Sequence, residues 1–179
     1  MSPETLLLVD GHNLLCKAFF GLPPRFRRDG LPIHGTIGFV SILLKTIKQL
    51  GPTHLAVIFD PEETPSRVEC YPEYKSNRPD YGNMPDADNP FSQLADVKKI
   101  LNYLAVYHLE LPGYEADDVI ASLKNRFNGD AVIFSTDTDF FQLLSGRVNI
   151  FSYRGKHSVL IDEAAFIEKY GIPVTRYVE

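Results

Sequence analysis

Four short apolar runs set the frame of this chain: about 5–9 (Thr-Leu-Leu-Leu-Val), 54–59 (His-Leu-Ala-Val-Ile-Phe), 106–110 and 131–135 (Ala-Val-Ile-Phe-Ser). Apolar runs this short, bounded by turn residues, read as buried strands. Between them, apolar residues recur at three or four: Phe39, Leu43, Ile47 and Leu50; then Leu94, Val97, Leu101 and Leu104; then Ala116, Val119, Ile120, Leu123 and Phe127. That spacing marks one face of a helix. Parallel neighbours need crossover connections, so strands alternating with amphipathic helices predict a mostly parallel central sheet with helices on both faces. The expected class is α/β.

At 179 residues the chain has the length of one ordinary domain, able to bury a core without disulfide or zinc staples, and residues 1–179 are read as one unit. No apolar run approaches the ~20 residues of a membrane helix. The opening Met-Ser-Pro-Glu-Thr lacks the basic start and long apolar stretch of a signal peptide, so the cytoplasm is the expected location. Cys16 and Cys70 have no metal-ligand spacing and read as reduced thiols, which argues against zinc. Residues 61–90 break the periodicity with Pro61, Pro65, Pro72, Pro79, Pro85 and Pro90 among charges and tyrosines. A stretch of that length inside a domain reads as a functional loop, an arch over about 61–92. After Arg147 a hairpin is expected, followed by a short helix starting near Asp162 and ending at Gly171.

Three of the strands run into aspartate: Val9 into Asp10, Phe59 into Asp60, and Phe134-Ser135-Thr136 into Asp137 and Asp139. In an open parallel sheet, ligands bind beyond the C-terminal ends of the strands, so these acids are expected along one edge. Glu115, Asp117 and Asp118 open the helix that follows Gly113-Tyr114. Each acid taken singly has a plain structural explanation as a turn residue, a helix N-cap or a partner of the helix dipole. Seven carboxylates without basic neighbours stay ionised at close range only with cations between them. Oxygen ligands without His or Cys select magnesium or manganese. Two such ions ~4 Å apart are an arrangement that cleaves phosphodiesters by hydrolysis.

With 18 basic against 23 acidic residues, the net charge of −5 is unusual for a protein that grips a polyanion. Bound cations would reverse the sign locally. Cys70-Tyr71-Pro72-Glu73-Tyr74-Lys75-Ser76-Asn77-Arg78-Pro79 is the basic segment; Lys75 and Arg78 could meet a phosphate and Tyr74 could stack on a base, or the three could be solvated loop residues. Arg25, Arg27 and Arg28 either touch phosphates or stay in water.

Five blocks carry a likeness: Val9-Asp10-Gly11-His12-Asn13-Leu14-Leu15, Ala56-Val57-Ile58-Phe59-Asp60, Tyr71-Pro72-Glu73-Tyr74-Lys75-Ser76-Asn77-Arg78, Gly113-Tyr114-Glu115-Ala116-Asp117-Asp118, and Ser135-Thr136-Asp137-Thr138-Asp139. In type and order they resemble the bacterial and phage 5′-nucleases, including the 5′–3′ exonuclease domain of DNA polymerase I and the flap endonucleases. The resemblance implies a PIN-like core that removes 5′ ends, flaps and RNA primers in DNA replication and repair with two or more magnesium ions. It implies Asp10, Asp60, Glu115 and Asp117 as ligands of the first metal and Asp118, Asp137 and Asp139 toward the second. Lys75 matches the family's catalytic lysine, which contacts the scissile phosphate; Arg78 lies beside it, and Lys17 stands where relatives often carry arginine, keeping charge but losing the bidentate fork. DNA ends, flaps and single-stranded segments are the implied partners.

Relatives continue into a helical, duplex-gripping region that opens with Gly-Asp-x-x-Asp-Asn, whereas this sequence stops at Tyr177-Val178-Glu179. The expectation is therefore a C-terminal DNA-binding region absent from the chain and a second metal site left incomplete. The acidic stretch from Asp80 to Asp88 is longer than usual and would alter how a strand threads. Two alternatives compete. A haloacid-dehalogenase-type phosphatase would use Asp137-Thr138-Asp139 but wants Thr or Val where Phe141 stands. A catalytically incomplete module would bind nucleic acid or a partner without cutting.

Overall fold

β1 (Thr5–Asp10) lies mid-sheet because its four central residues, Leu6 to Val9, are all apolar, which suits a strand covered on both faces. In the computed structural model, which describes residues 4–61 and 84–177, its neighbours are β2 (His54–Phe59) and β4 (Asp130–Phe134). Leu8 pairs with Ala56 on one side and Ile133 on the other. With β3 (His108–Glu110), β5 (Val148–Ser152) and β6 (Val159–Ile161), the sheet runs β3-β2-β1-β4-β5-β6. The pairings from β3 to β5 are parallel, and β6 returns antiparallel beside β5, as the hairpin expected after Arg147 requires.

Strand periodicity divides the core in two. Leu7, Val9, Val57, Phe59, Val132 and Phe134 point to one face and pack against α1 (Gly11–Gly21), α2 (His34–Leu50) and α3 (Leu94–Tyr103). Leu8, Ala56, Ile58, Ala131 and Ile133 point to the other, against α4 (Ala116–Arg126) and α5 (Glu163–Tyr170). Because successive side chains alternate faces, both layers are built by single strands. The α/β class with helices on both faces is what the sequence predicts. Gly51 and Gly171 end α2 and α5 in the left-handed conformation, at φ 57° and 71°, where a residue without Cβ is least strained.

Several boundaries differ from expectation. The third strand holds only His108–Glu110, because Ala105 takes a left-handed turn at φ 53° just before it. α1 was not expected: its cap is the last residue of β1, so no turn sequence announces it. The arch stretch has structure at its described end. Asn89 caps a 3-10 turn at Pro90–Gln93, and buried Gln93 accepts from the Thr36 N–H at 2.9 Å, tying that end to α2. No described helix is long and apolar enough to cross a membrane.

Candidate metal centre

The chain order of the strands makes a switch point between β1 and β4, where the connections leave the sheet on opposite faces. A crevice opens at such a point beyond the strands' C-terminal ends. Asp10 ends β1, Asp60 follows β2 directly, and Ser135-Thr136-Asp137 follows β4. Asp10, Asp60 and Asp137, three of the four expected strand-end acids, therefore lie on one edge of three adjacent strands.

Each is fastened by the helix start beside it. Asp10 Oδ1 accepts from Asn13 N–H at 3.0 Å and so caps α1, while its Oδ2 accepts from Ser135 Oγ at 3.1 Å. Gly11 makes this turn possible, since a Cβ there would stand 2.4 Å from the Phe59 ring and 2.9 Å from the Ile58 carbonyl. Asp60 Oδ1 accepts from Ala116 N–H at 2.8 Å, capping α4 from a distant segment. Asp60 N–H donates to His12 Nδ1 at 3.0 Å, and Oδ2 lies 3.5 Å from the same nitrogen. Asp137 Oδ1 accepts from Asp139 N–H at 2.9 Å and caps the 3-10 turn at Thr138–Leu143. The capping explanation is thus correct for three acids, and it leaves lone pairs on each, because one carboxylate has about four acceptor sites.

Asp60's bond to α4 fixes the position of Glu115, which is buried at the cap of that helix, with Asp117 and Asp118 exposed in its first turn. Asp139 is exposed in the 3-10 turn. The Asp10 carboxyl is pushed up from 3.8 to about 7, chiefly by burial; Asp60 and Asp137 add repulsion, against the lowering effect of the Asn13 and Ser135 hydrogen bonds. Those causes place three acids in one electrostatic field. Among the described residues no three acid, His or Cys side chains are gathered tightly enough to hold an ion as they stand. The fit to a hard divalent cation is therefore one of chemistry and position: oxygen donors, no described thiol among them, and negative charge with no described lysine or arginine paired to Asp10, Asp60 or Asp137.

Beside this edge runs a cleft of about 810 Å³, bounded by α1, α2 and the end of β5. Lys17, Arg25, Lys45 and Arg154 line it, no described carboxylate does, and Asn13 and Thr136 form the end nearest the acids. Lys17, which stands where relatives often carry arginine, was among the residues expected to bind DNA, and Arg25 was left open; Lys45 and Arg154 carry no sequence signal, since the fold alone joins helix α2 to the β5–β6 turn. Arg27 instead bonds Asp96 at 3.0 Å. His12, Asn13, Ser135 and Thr136 were also not singled out as site residues, although they sit inside the recognised blocks. Tyr74, Lys75 and Arg78 lie outside the described residues, as does Cys70.

Residues 5–171 match the family model described as 5′-3′ exonuclease, N-terminal resolvase-like domain. The chain is 37% identical over 180 aligned positions to the thermostable DNA polymerase I of Thermus filiformis, covering 99% of this chain and 20% of that protein. It is 34% identical over 173 positions to the 5′-3′ exonuclease of Aquifex aeolicus strain VF5, covering 94% of this chain and 57% of the relative. This chain thus spans a fifth of the polymerase and little more than half of the exonuclease. Among solved structures, T5 5′-exonuclease with bound zinc matches with a TM-score of 0.73 at 23% identity, over 96% of this chain and 63% of that one. The catalytic core of Rad2 in complex with DNA substrate matches with a TM-score of 0.56 at 14% identity, over 99% and 54%. At those identities the likeness is one of fold. The strand-end acids, the parallel sheet and the match across residues 5–171 agree: the chain belongs to the 5′-3′ exonuclease N-terminal, resolvase-like domain family.

Proposed function

We propose that residues 1–179 form the catalytic core of a divalent-metal-dependent 5′–3′ exonuclease or flap endonuclease that hydrolyses DNA phosphodiesters at 5′ ends, flaps and RNA primers. The observation that carries this reading is the meeting of Asp10, Asp60 and Asp137 at one sheet edge, in a shared field, beside a cleft lined with four cations. Asp10, Asp60, Glu115 and Asp117 are assigned to one ion, and Asp118, Asp137 and Asp139 toward a second. Magnesium or manganese suits this oxygen set better than zinc. Such ions, when bound, lower the pKa of an attacking water and stabilise the charge that develops on the phosphate.

The chain's own residues supply the rest. Helix starts α1 and α4 carry partial positive charge toward the edge, which holds Asp10 and Asp60 in orientation. Lys17, Arg25, Lys45 and Arg154 give a phosphate backbone a cationic path along a cleft that reaches Asn13 and Thr136, which neighbour the acids in the chain. A net charge of −5 is compatible with that path, because these four bases are grouped along one cleft. Lys75 and Arg78 are assigned to the scissile phosphate and Tyr74 to a stacked base, on the match of their block to the family's.

The test is cleavage of an end-labelled 5′-flap DNA with manganese, against an EDTA control, using the wild-type chain and Asp60→Asn. Asparagine keeps an oxygen for the Ala116 N–H and removes the charge. The reading expects manganese-dependent cutting lost in the variant. Equal cutting by both proteins, or cutting in EDTA, contradicts it. Retained metal binding without cutting in the wild-type chain assigns it instead to binding alone.

A further inference from the structure

Ser135 follows β4 and is fully buried. Its Oγ donates to Asp10 Oδ2 at 3.1 Å and accepts from Asp137 N–H at 3.1 Å. A hydroxyl has a single proton, so the two bonds define one direction: the proton toward Asp10, a lone pair toward the Asp137 backbone. A second bridge runs alongside. Thr136 N–H donates to Asn13 Oδ1 at 3.2 Å, and Asn13 Nδ2 donates to Thr136 Oγ1 at 3.1 Å. The β1–α1 turn and the segment after β4 are thus joined at two places, and only the Ser135 bridge touches a carboxylate of the proposed metal edge.

The choice of partner matters. Asp10 lies partly buried at the end of β1. Among the described residues it is oriented by a neutral hydroxyl and a backbone N–H rather than by a lysine or arginine, and these fix its direction and leave its charge for a cation. We propose that Ser135 is a positioning residue of the metal centre, its hydroxyl holding the Asp10 carboxylate in register with Asp137 for the ions that the two acids would bind. This rests on the metal-dependent reading above.

The experiment is titration of the full, metal-stripped chain with Mn2+ alone, free ion being followed by electron paramagnetic resonance, for wild type, Ser135→Ala, Ser135→Thr and Asp60→Asn. Loss of a hydrogen bond to a metal ligand weakens affinity by about 10- to 100-fold. Ser135→Ala should show that loss and Ser135→Thr, which restores the hydroxyl, should return to within about threefold of wild type. A merely structural role would not follow the hydroxyl in this way. Wild-type affinity in Ser135→Ala, or failure of Ser135→Thr to recover it, overturns the proposal. If Ser135→Ala does not fold, Ser135→Thr against its isostere Ser135→Val carries the same comparison, and equal affinity overturns it. Asp60→Asn separates the two levels. Wild-type Mn2+ affinity in that variant, or none in the wild-type chain, overturns the metal reading itself, whereas loss in Asp60→Asn with none in Ser135→Ala overturns only the role of Ser135.

Discussion

Asp10→Asn should stabilise the metal-free chain at alkaline pH while abolishing its chemistry. The Asp10 carboxyl titrates at 3.8 when unperturbed and about 7 in the fold, with burial the main cause. A group whose pKa rises on folding contributes most below its unfolded value, and that contribution is lost as pH climbs through the folded one. At about 1.36 kcal/mol per pH unit, the ceiling is about 4 kcal/mol, and between pH 5 and pH 8 the cost of ionising Asp10 in the fold grows by about 2–3 kcal/mol. Asparagine avoids that cost. Its Oδ1 still takes the Asn13 N–H, and its amide can donate to Ser135 Oγ, so the cap of α1 survives. Thermal melts in EDTA read the difference. For a chain of this size 1 kcal/mol moves Tm by about 2–4 °C, so the advantage of Asp10→Asn over wild type should widen by roughly 4–12 °C from pH 5 to pH 8. Adding Mn2+ at pH 8 should raise the wild-type Tm and leave the variant unmoved. A gap independent of pH, or a variant less stable than wild type at pH 8, would refute the assignment of burial and acidic neighbours as the cause.

The other expectations follow from the same geometry. Mn2+ affinity should fall up to about tenfold for each pH unit below 7, since Asp10 must lose its proton to bind; a flat titration profile contradicts a role for Asp10. Gly11→Ala drives a Cβ into the Phe59 ring and the Ile58 carbonyl and should cost roughly 1–3 kcal/mol with loss of metal binding, whereas Gly21→Ala, with open space around it, should be silent in the same melts. Lys17→Ala and Lys45→Ala should each weaken DNA binding and reduce the slope of log affinity against log salt by roughly 0.7–0.9. An unchanged slope in both removes the cleft from the path of the strand.

The sheet and its acidic edge were legible because two patterns coincide: apolar runs too short for helices, and aspartate at the end of three of them. Periodicity could not reveal α1, whose N-cap is also the last residue of β1, nor the early turn at Ala105 that trims β3. Asp10, Asp60 and Asp137 had two competing explanations, as caps and as ligands. The fold joins the two, since the helix starts that they cap are what turn the carboxylates toward one crevice. Lys45 and Arg154 were invisible because nothing in a sequence connects the middle of α2 with the turn after β5. Ser135 and Asn13 were hidden for a related reason: the partners that tie them across the sheet edge, Asp10 and Thr136, lie more than a hundred residues away.

A divalent ion is expected to bind at the edge formed by Asp10, Asp60 and the start of α4. Anomalous diffraction from crystals of this chain soaked in MnCl2 tests it most directly. A manganese peak is expected within about 2.5 Å of Asp10 or Asp60 carboxylate oxygens, lost in Asp10→Asn. A chain that cuts flap DNA with manganese yet shows its peaks away from these residues would contradict it.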